Sequence, residues 1–228
     1  MSAVADLLEY LTTADNWWGL RGIARAVYDH VRLSAAAVVA AGVLAVPAAM
    51  VLGHTGRGGF LATTVVNIGR AIPSFGILAI SFLILVQMGA GVGEPWAVLV
   101  ALVALAAPPM FTNTVAGIQS VEASTIEAAR GMGLTEREVL RGVELPLAMP
   151  LIMEGVRISF VQVIATATLG ALVAWGGLGR FIVDGFAQQD TGQLIVGALL
   201  VGILAIVAEL GFSRLQRHST PKGLRIAG

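Results

Sequence analysis

The sequence predicts an all-α integral membrane protein, and three observations carry that reading. Of 228 residues, 57% are hydrophobic and only 12% are charged, about half the charged share of an ordinary soluble domain. Mean hydropathy is +0.85. The apolar residues lie in runs separated by short polar intervals, and a run of roughly 20 apolar residues is what crosses a bilayer as a helix. Formal charge is zero, which does not suit a general nucleic-acid binder. Cysteine is absent, so disulfides and thiolate metal sites are excluded.

Taken in order, residues 1–29 are a mixed N-terminal segment. Acidic residues and the lack of a basic region in residues 1–16 distinguish it from a cleavable signal peptide. Trp17 and Trp18, with Arg21, Arg25 and Arg32 after them, predict an amphipathic helix at the membrane interface. A frayed polar terminus fits the same residues. The first span is expected at 33–53, kinked by Pro47. The second, 60–88, contains one charge, Arg70. Either it is one long kinked helix or an interfacial half-helix feeds a span from Ala71. Inside a bundle Arg70 needs water or a partner and so marks the solute path or its gate; at a helix start it is a snorkelling side chain. Asn67, Pro73 and Ser74 flank it and are candidates for the same path.

The third span, 96–117, is interrupted by Pro108 and Pro109 and carries Asn113 and Thr114 near its end. Those two either line a path or bond between helices. The fourth, 148–175, has Glu154 and Arg157 one turn apart, a spacing for an ion pair. Ser159, Gln162 and Thr166 share one face of it, a hydrophilic stripe suited to a pore or a partner helix. The fifth, 191–212, leads into a basic tail, 213–228.

One long polar interval, the loop at 122–147, separates the third and fourth spans. A short helix from 122 to about 132 is stopped by Gly131 and Gly133. Thr135 stands three residues before Glu138, the capping-box spacing. A second helix is expected over about 136–145, ending before Pro146. The first helix offers a small-residue face of Ala128, Ala129 and Gly133 beside Glu127, a knob that fits a groove on another protein.

This interval resembles the cytoplasmic coupling loop of ABC importer permeases. Their pattern is Glu-Ala-Ala, then a glycine, then an aliphatic residue two before Leu-Pro. It is met with every interval intact by Glu127-Ala128-Ala129, Gly133 and Val143-Glu144-Leu145-Pro146. The likeness spans about residues 30–212 and implies a binding-protein-dependent, type I permease domain of the MetI-like fold. It assigns Glu127, Ala128, Ala129, Gly133, Leu145 and Pro146 to contact with a separate ATPase. The implied partners are two ABC ATPase subunits, a second permease (identical or different), an extracytoplasmic solute-binding protein and the bilayer. ATP and magnesium belong to the ATPases, and no cofactor or metal is expected on this chain.

Within the family, the short length, Ala71-Ile72-Pro73-Ser74-Phe75, the run 113–118 and the glycine-rich 176–182 look most like permeases for glycine betaine, carnitine or choline. Methionine and other small-solute importers share much of the pattern. The expected location is the bacterial cytoplasmic membrane. Arg130, Arg137 and Arg141 in the loop and the basic tail put both inside, and five spans then leave the N-terminus outside. Arg21, Arg25 and Arg32 run against that bias.

Two other classes fare worse. His30, His54 and His218 are scattered, and neither H-E-x-x-H nor G-x-S-x-G occurs, so an intramembrane hydrolase lacks its machinery. G-x-x-x-x-G-K-[ST] is absent too, so ATP chemistry by that route has to come from elsewhere. An ion-coupled transporter has only Glu154 and Glu209 as intramembrane carboxylates. Whether uptake follows ATP or an ion gradient separates it from an ABC permease.

Overall fold

The computed structural model describes residues 3–56, 60, 64 and 73–219, with side chains through 216. Among these residues the regular structure is helical. The elements are α1 (Ala3–Thr12), α2 (Ile23–His54), α3 (Ser74–Gln87), α4 (Trp96–Gln119), α5 (Ala123–Gly131) and α6 (Glu136–Val139). A π segment (Leu140–Glu144) follows, then α7 (Leu145–Thr166), a 3-10 run (Ala167–Val173), α8 (Gly179–Gln188) and α9 (Thr191–Ser219). Four of the described helical runs are long and apolar enough to cross a membrane, and α3 is a shorter apolar helix.

The core is a close-packed layer of α2, α4 and α7. Ala37, Ala41, Ala45 and Ala49 recur every four residues on α2 and are all buried. Side chains that small let Leu102, Ala106 and Met110 of α4 pack into the same core. On the other side of α4, Gly155 of α7 sits where an added Cβ would come within 2.9 Å of Asn113 Cβ and the Pro109 carbonyl. In lipid such contacts hold helices together by packing and hydrogen bonds, since apolar burial favours no helix pair over lipid tails. α9 packs on α7 and α8, and α1 lies against α9.

Several boundaries differ from those expected. α2 begins at Ile23, ahead of the uncharged run, because an Arg25–Asp29 pair of 2.8 Å one turn apart lets polar residues extend the helix. Trp17 and Trp18 lie in a turn after α1, not on an interfacial helix. Gly19 at φ +94° breaks the chain there, and Trp18 is 74% exposed. The second helix of the polar loop does not end before Pro146. The chain passes from α6 through the π segment into α7 without leaving helical geometry, and Pro146 sits just past the wide turn, where the altered hydrogen-bond ladder accommodates a residue without a donor. Of the second span, the helix described is Ser74–Gln87, about 21 Å at 1.5 Å per residue. Asn67 and Arg70 lie outside the described residues, and so does the choice between a kinked span and a half-helix.

The two ends of the bundle are built differently. At one, Gly53 of α2 meets Ile118 of α4, Ile118 packs with Ala148 and Ile152 of α7, and Gln216 of α9 donates to the Pro150 carbonyl at 3.0 Å. At the other, buried His30 joins three elements. Leu178 N–H donates to its Nδ1 at 3.3 Å. With Nδ1 accepting, Nε2 carries the proton and donates to the Ile164 carbonyl at 2.9 Å.

Candidate functional site

The polar loop sits at the end where α2, α4 and α7 converge, and two local devices shape it. α5 closes in a Schellman motif: Leu134 N–H returns to the Ala129 carbonyl and Gly133 N–H to that of Arg130. Gly133 takes the left-handed conformation this needs, φ +88°. One residue on, Thr135 begins α6 with the expected capping box. Its N–H donates to Glu138 Oε2 at 2.8 Å, and Glu138 N–H donates to Thr135 Oγ1 at 3.4 Å. The Thr135 N–H and, second, its hydroxyl donating to Oε2 at 2.7 Å hold the Glu138 carboxyl below its ordinary range.

The reversal aims the faces of α5. Ala129 is buried against the chain itself, whereas Glu127, Ala128 and Gly133 are exposed. The small-residue knob is therefore divided: Ala129 seats the helix, and Ala128 with Glu127 points outward. Leu145 and Pro146 lie at the elbow into α7, half-buried and exposed respectively.

Four charged or titratable side chains brace the loop. Arg130 donates from Nε and Nη2 to the two oxygens of Glu136, each at 2.8 Å, a bond that lowers the Glu136 carboxyl. His54, ending α2, stands with Nε2 3.1 Å from Glu136 Oε2 and Nδ1 2.7 Å from Glu144 Oε2. This chain was not legible in the sequence, because His54 and Glu144 lie 90 positions apart and Glu144 fills a position that the coupling-loop pattern leaves open.

The candidate path residues divide. Ser74 and Thr166 come together with Leu78 and Gly170 around a cavity of about 10 Å³, room for a single water. Pro73 is exposed just before α3. Ser159 is fully buried and donates to the Ala106 carbonyl of α4 at 2.8 Å, so it holds two helices together. Thr114 and Asn113 donate back to the Met110 and Pro109 carbonyls of their own helix. The expected stripe is thus split: Ser159 is spent on packing, while Gln162 and Thr166 stay half-buried.

The Glu154–Arg157 pair forms at 2.6 Å and extends to Glu209 of α9 at 3.2 Å, tying two spanning helices with three charges. At the opposite end a recess of about 210 Å³ is lined by Arg21, Arg25, Asp29, Arg180 and Asp184 among others.

Known proteins share both this architecture and this sequence. In structure, the chain resembles a chain of the inward-facing MetNI methionine ABC transporter, with TM-score 0.76, 24% identity, and 87% of this chain and 96% of that one covered. In sequence, it is 37% identical over 198 residues to the choline transport system permease protein OpuBB of Bacillus subtilis, covering 87% of this chain and 88% of the relative. It is 36% identical over 202 residues to the carnitine transport permease protein OpuCB of Listeria monocytogenes, covering 88% and 89%. The osmoprotectant import permease protein OsmW of Salmonella typhimurium is 34% identical over 206 residues, covering 89% and 94%. Residues 41–223 match the family described as binding-protein-dependent transport system inner membrane component. With those residues matched and with the spanning helices to carry them, the chain belongs to that family of membrane permeases.

Proposed function

We propose that this chain forms the transmembrane path of an ATP-driven importer for small quaternary-amine osmoprotectants of the choline, glycine betaine and carnitine type. The single observation that carries the reading is the loop at 122–147. It is a short helix anchored inward by Ala129, presenting Glu127 and Ala128 outward, and held at the meeting point of three bundle helices. Such a knob suits the groove of a separate ATPase subunit. Two ATPases closing on ATP displace α5, the elbow at Leu145 and Pro146 passes the motion to α7, and the bundle alternates between its two openings. Hydrolysis then belongs to the partners, and this chain has a mechanical part and no catalytic one.

The substrate class rests on the names of the sequence relatives. A second permease completes the path, to which Ser74, Gln162, Thr166 and Pro73 of this chain contribute; Asn67 and Arg70, outside the described residues, are candidates for the same path. The loop end faces the cytoplasm. The opposite end, with its charged recess at Arg21 and Arg180, faces an external solute-binding protein.

The test is Gly133→Arg in the assembled transporter. A Cβ at Gly133 meets nothing within 4 Å, so the arginine adds bulk beside the docking face without a steric clash, at the cost of strain in the left-handed turn. Expected are normal membrane insertion, loss of ATP-dependent choline, glycine betaine or carnitine uptake, and loss of ATPase stimulation by the loaded binding protein. Unchanged uptake and stimulation would remove the docking assignment.

A further inference from the structure

At the loop end four side chains from four elements make one unbroken chain: Arg130 on α5, Glu136 on α6, His54 closing α2 and Glu144 in the π segment. The links measure 2.8, 3.1 and 2.7 Å. The chain runs from surface to interior, its side chains 48%, 58%, 13% and 4% exposed in that order. Both ring nitrogens of His54 face carboxylate oxygens. A neutral imidazole donates from one nitrogen only, and an imidazolium donates from both.

Glu144 is a buried carboxylate whose ion-pair partner is this ring, and leaving such a carboxylate unpaired is costly. Among the described residues, the charged groups facing His54 are Glu144 from the π segment and Glu136 from α6, with Arg130 and Glu127 of α5 behind Glu136. α4 carries no charge, and α2 carries none between Arg32 and His54.

We propose that His54 is a positioning residue for energy coupling: its ring, held between Glu136 and Glu144, ties the docking helix α5 to the end of α2 and to the π segment, so displacing α5 moves α2 as well as α7. The backbone runs from α4 through α5 and α6 to α7; among the described residues the ionic chain adds a link from α5 to α2. The proposal rests on the reading of α5 as the ATPase contact.

The experiment uses the complete transporter in proteoliposomes. It measures solute imported per ATP, with whichever of choline, glycine betaine or carnitine the wild type carries. His54→Gln keeps polar contacts but cannot bridge two carboxylates as a cation, and should lower import per ATP about tenfold while the ATPase still assembles. His54→Lys places a cation between the same two carboxylates and should restore the ratio, a rescue that a merely structural role would not give. Glu136→Gln removes the middle link at an exposed position, so it gives the same readout should His54→Gln fail to fold. Wild-type ratios in both glutamine variants would overturn the proposal. Gly133→Arg, run in parallel, separates the two readings: if it alone uncouples, docking stands and the tie falls, and if nothing uncouples, both fall.

Discussion

Glycines at the two ends of the bundle are retained for opposite reasons, and substitution tells them apart. Gly133 has open space where a Cβ would sit, so its constraint is the left-handed backbone alone. Gly133→Ala should then cost the Schellman turn about 1–2 kcal/mol, and Gly133→Asn less, because asparagine tolerates that conformation. Hydrogen exchange at Leu134 N–H in the purified protein reads this directly. Equal protection in the alanine and asparagine variants would contradict the conformational account. Gly179 has an ordinary backbone, but a Cβ there would overlap the Thr168 carbonyl oxygen. Gly179→Ala must push α8 off the 3-10 run, with an overpacking cost of about 1–3 kcal/mol, and lower the melting temperature in detergent. An unchanged melting temperature would mean that the two segments part freely. The glycine-rich run was legible in the sequence; which of its glycines are steric was not, since Thr168 reaches Gly179 only through the fold.

Helices were legible where lipid dictates them, because backbone groups in the bilayer have no partner but their own helix. The spans at 96–117 and 191–212 lie within α4 and α9 for that reason. The capping box at Thr135 was legible too, being wholly local. What the sequence hid was continuity across Pro146, where proline predicts a stop and the π segment carries the helix through. That segment inserts a residue between α6 and α7, and Leu145 N–H accordingly reaches back five residues to the Leu140 carbonyl. Deleting Gly142, whose Cβ position is open, should relax the segment to α geometry and leave α6 and α7 facing as before, because the wide turn had absorbed the extra residue. The expected result is a chain that inserts and imports solute at close to wild-type levels. Loss of uptake by the deletion would show that the wide turn itself is needed for coupling.

At the scale of the molecule, the contacts decide which ends lie together, and that makes orientation testable without knowing the solute. The ends of α2, α4 and α9 and the start of α7 gather beside α5. The start of α2, the 3-10 run, α8 and α1 gather at the opposite pole. The three arginines at positions 21, 25 and 32, which run against the charge bias, belong to that second pole. Arg25 is paired with Asp29 there, and Arg25 and Arg32 both lie over the Tyr28 ring at 5.7 and 5.9 Å. These local interactions hold two of the three cations against the protein. The native chain has no cysteine, so single cysteines report topology without background. Met132 in the loop and Phe186 on α8 are 75% and 77% exposed, and neither takes part in the ionic chain. In right-side-out vesicles a membrane-impermeant maleimide should label Phe186→Cys from outside, and should reach Met132→Cys only after the membrane is opened. The reverse pattern would place α5 on the external face, beyond reach of any ATPase, and the coupling mechanism would fall with it. Labelling of both sites in sealed vesicles would mean that the two poles share one side of the membrane, which four spanning helices packed end to end in this way do not permit.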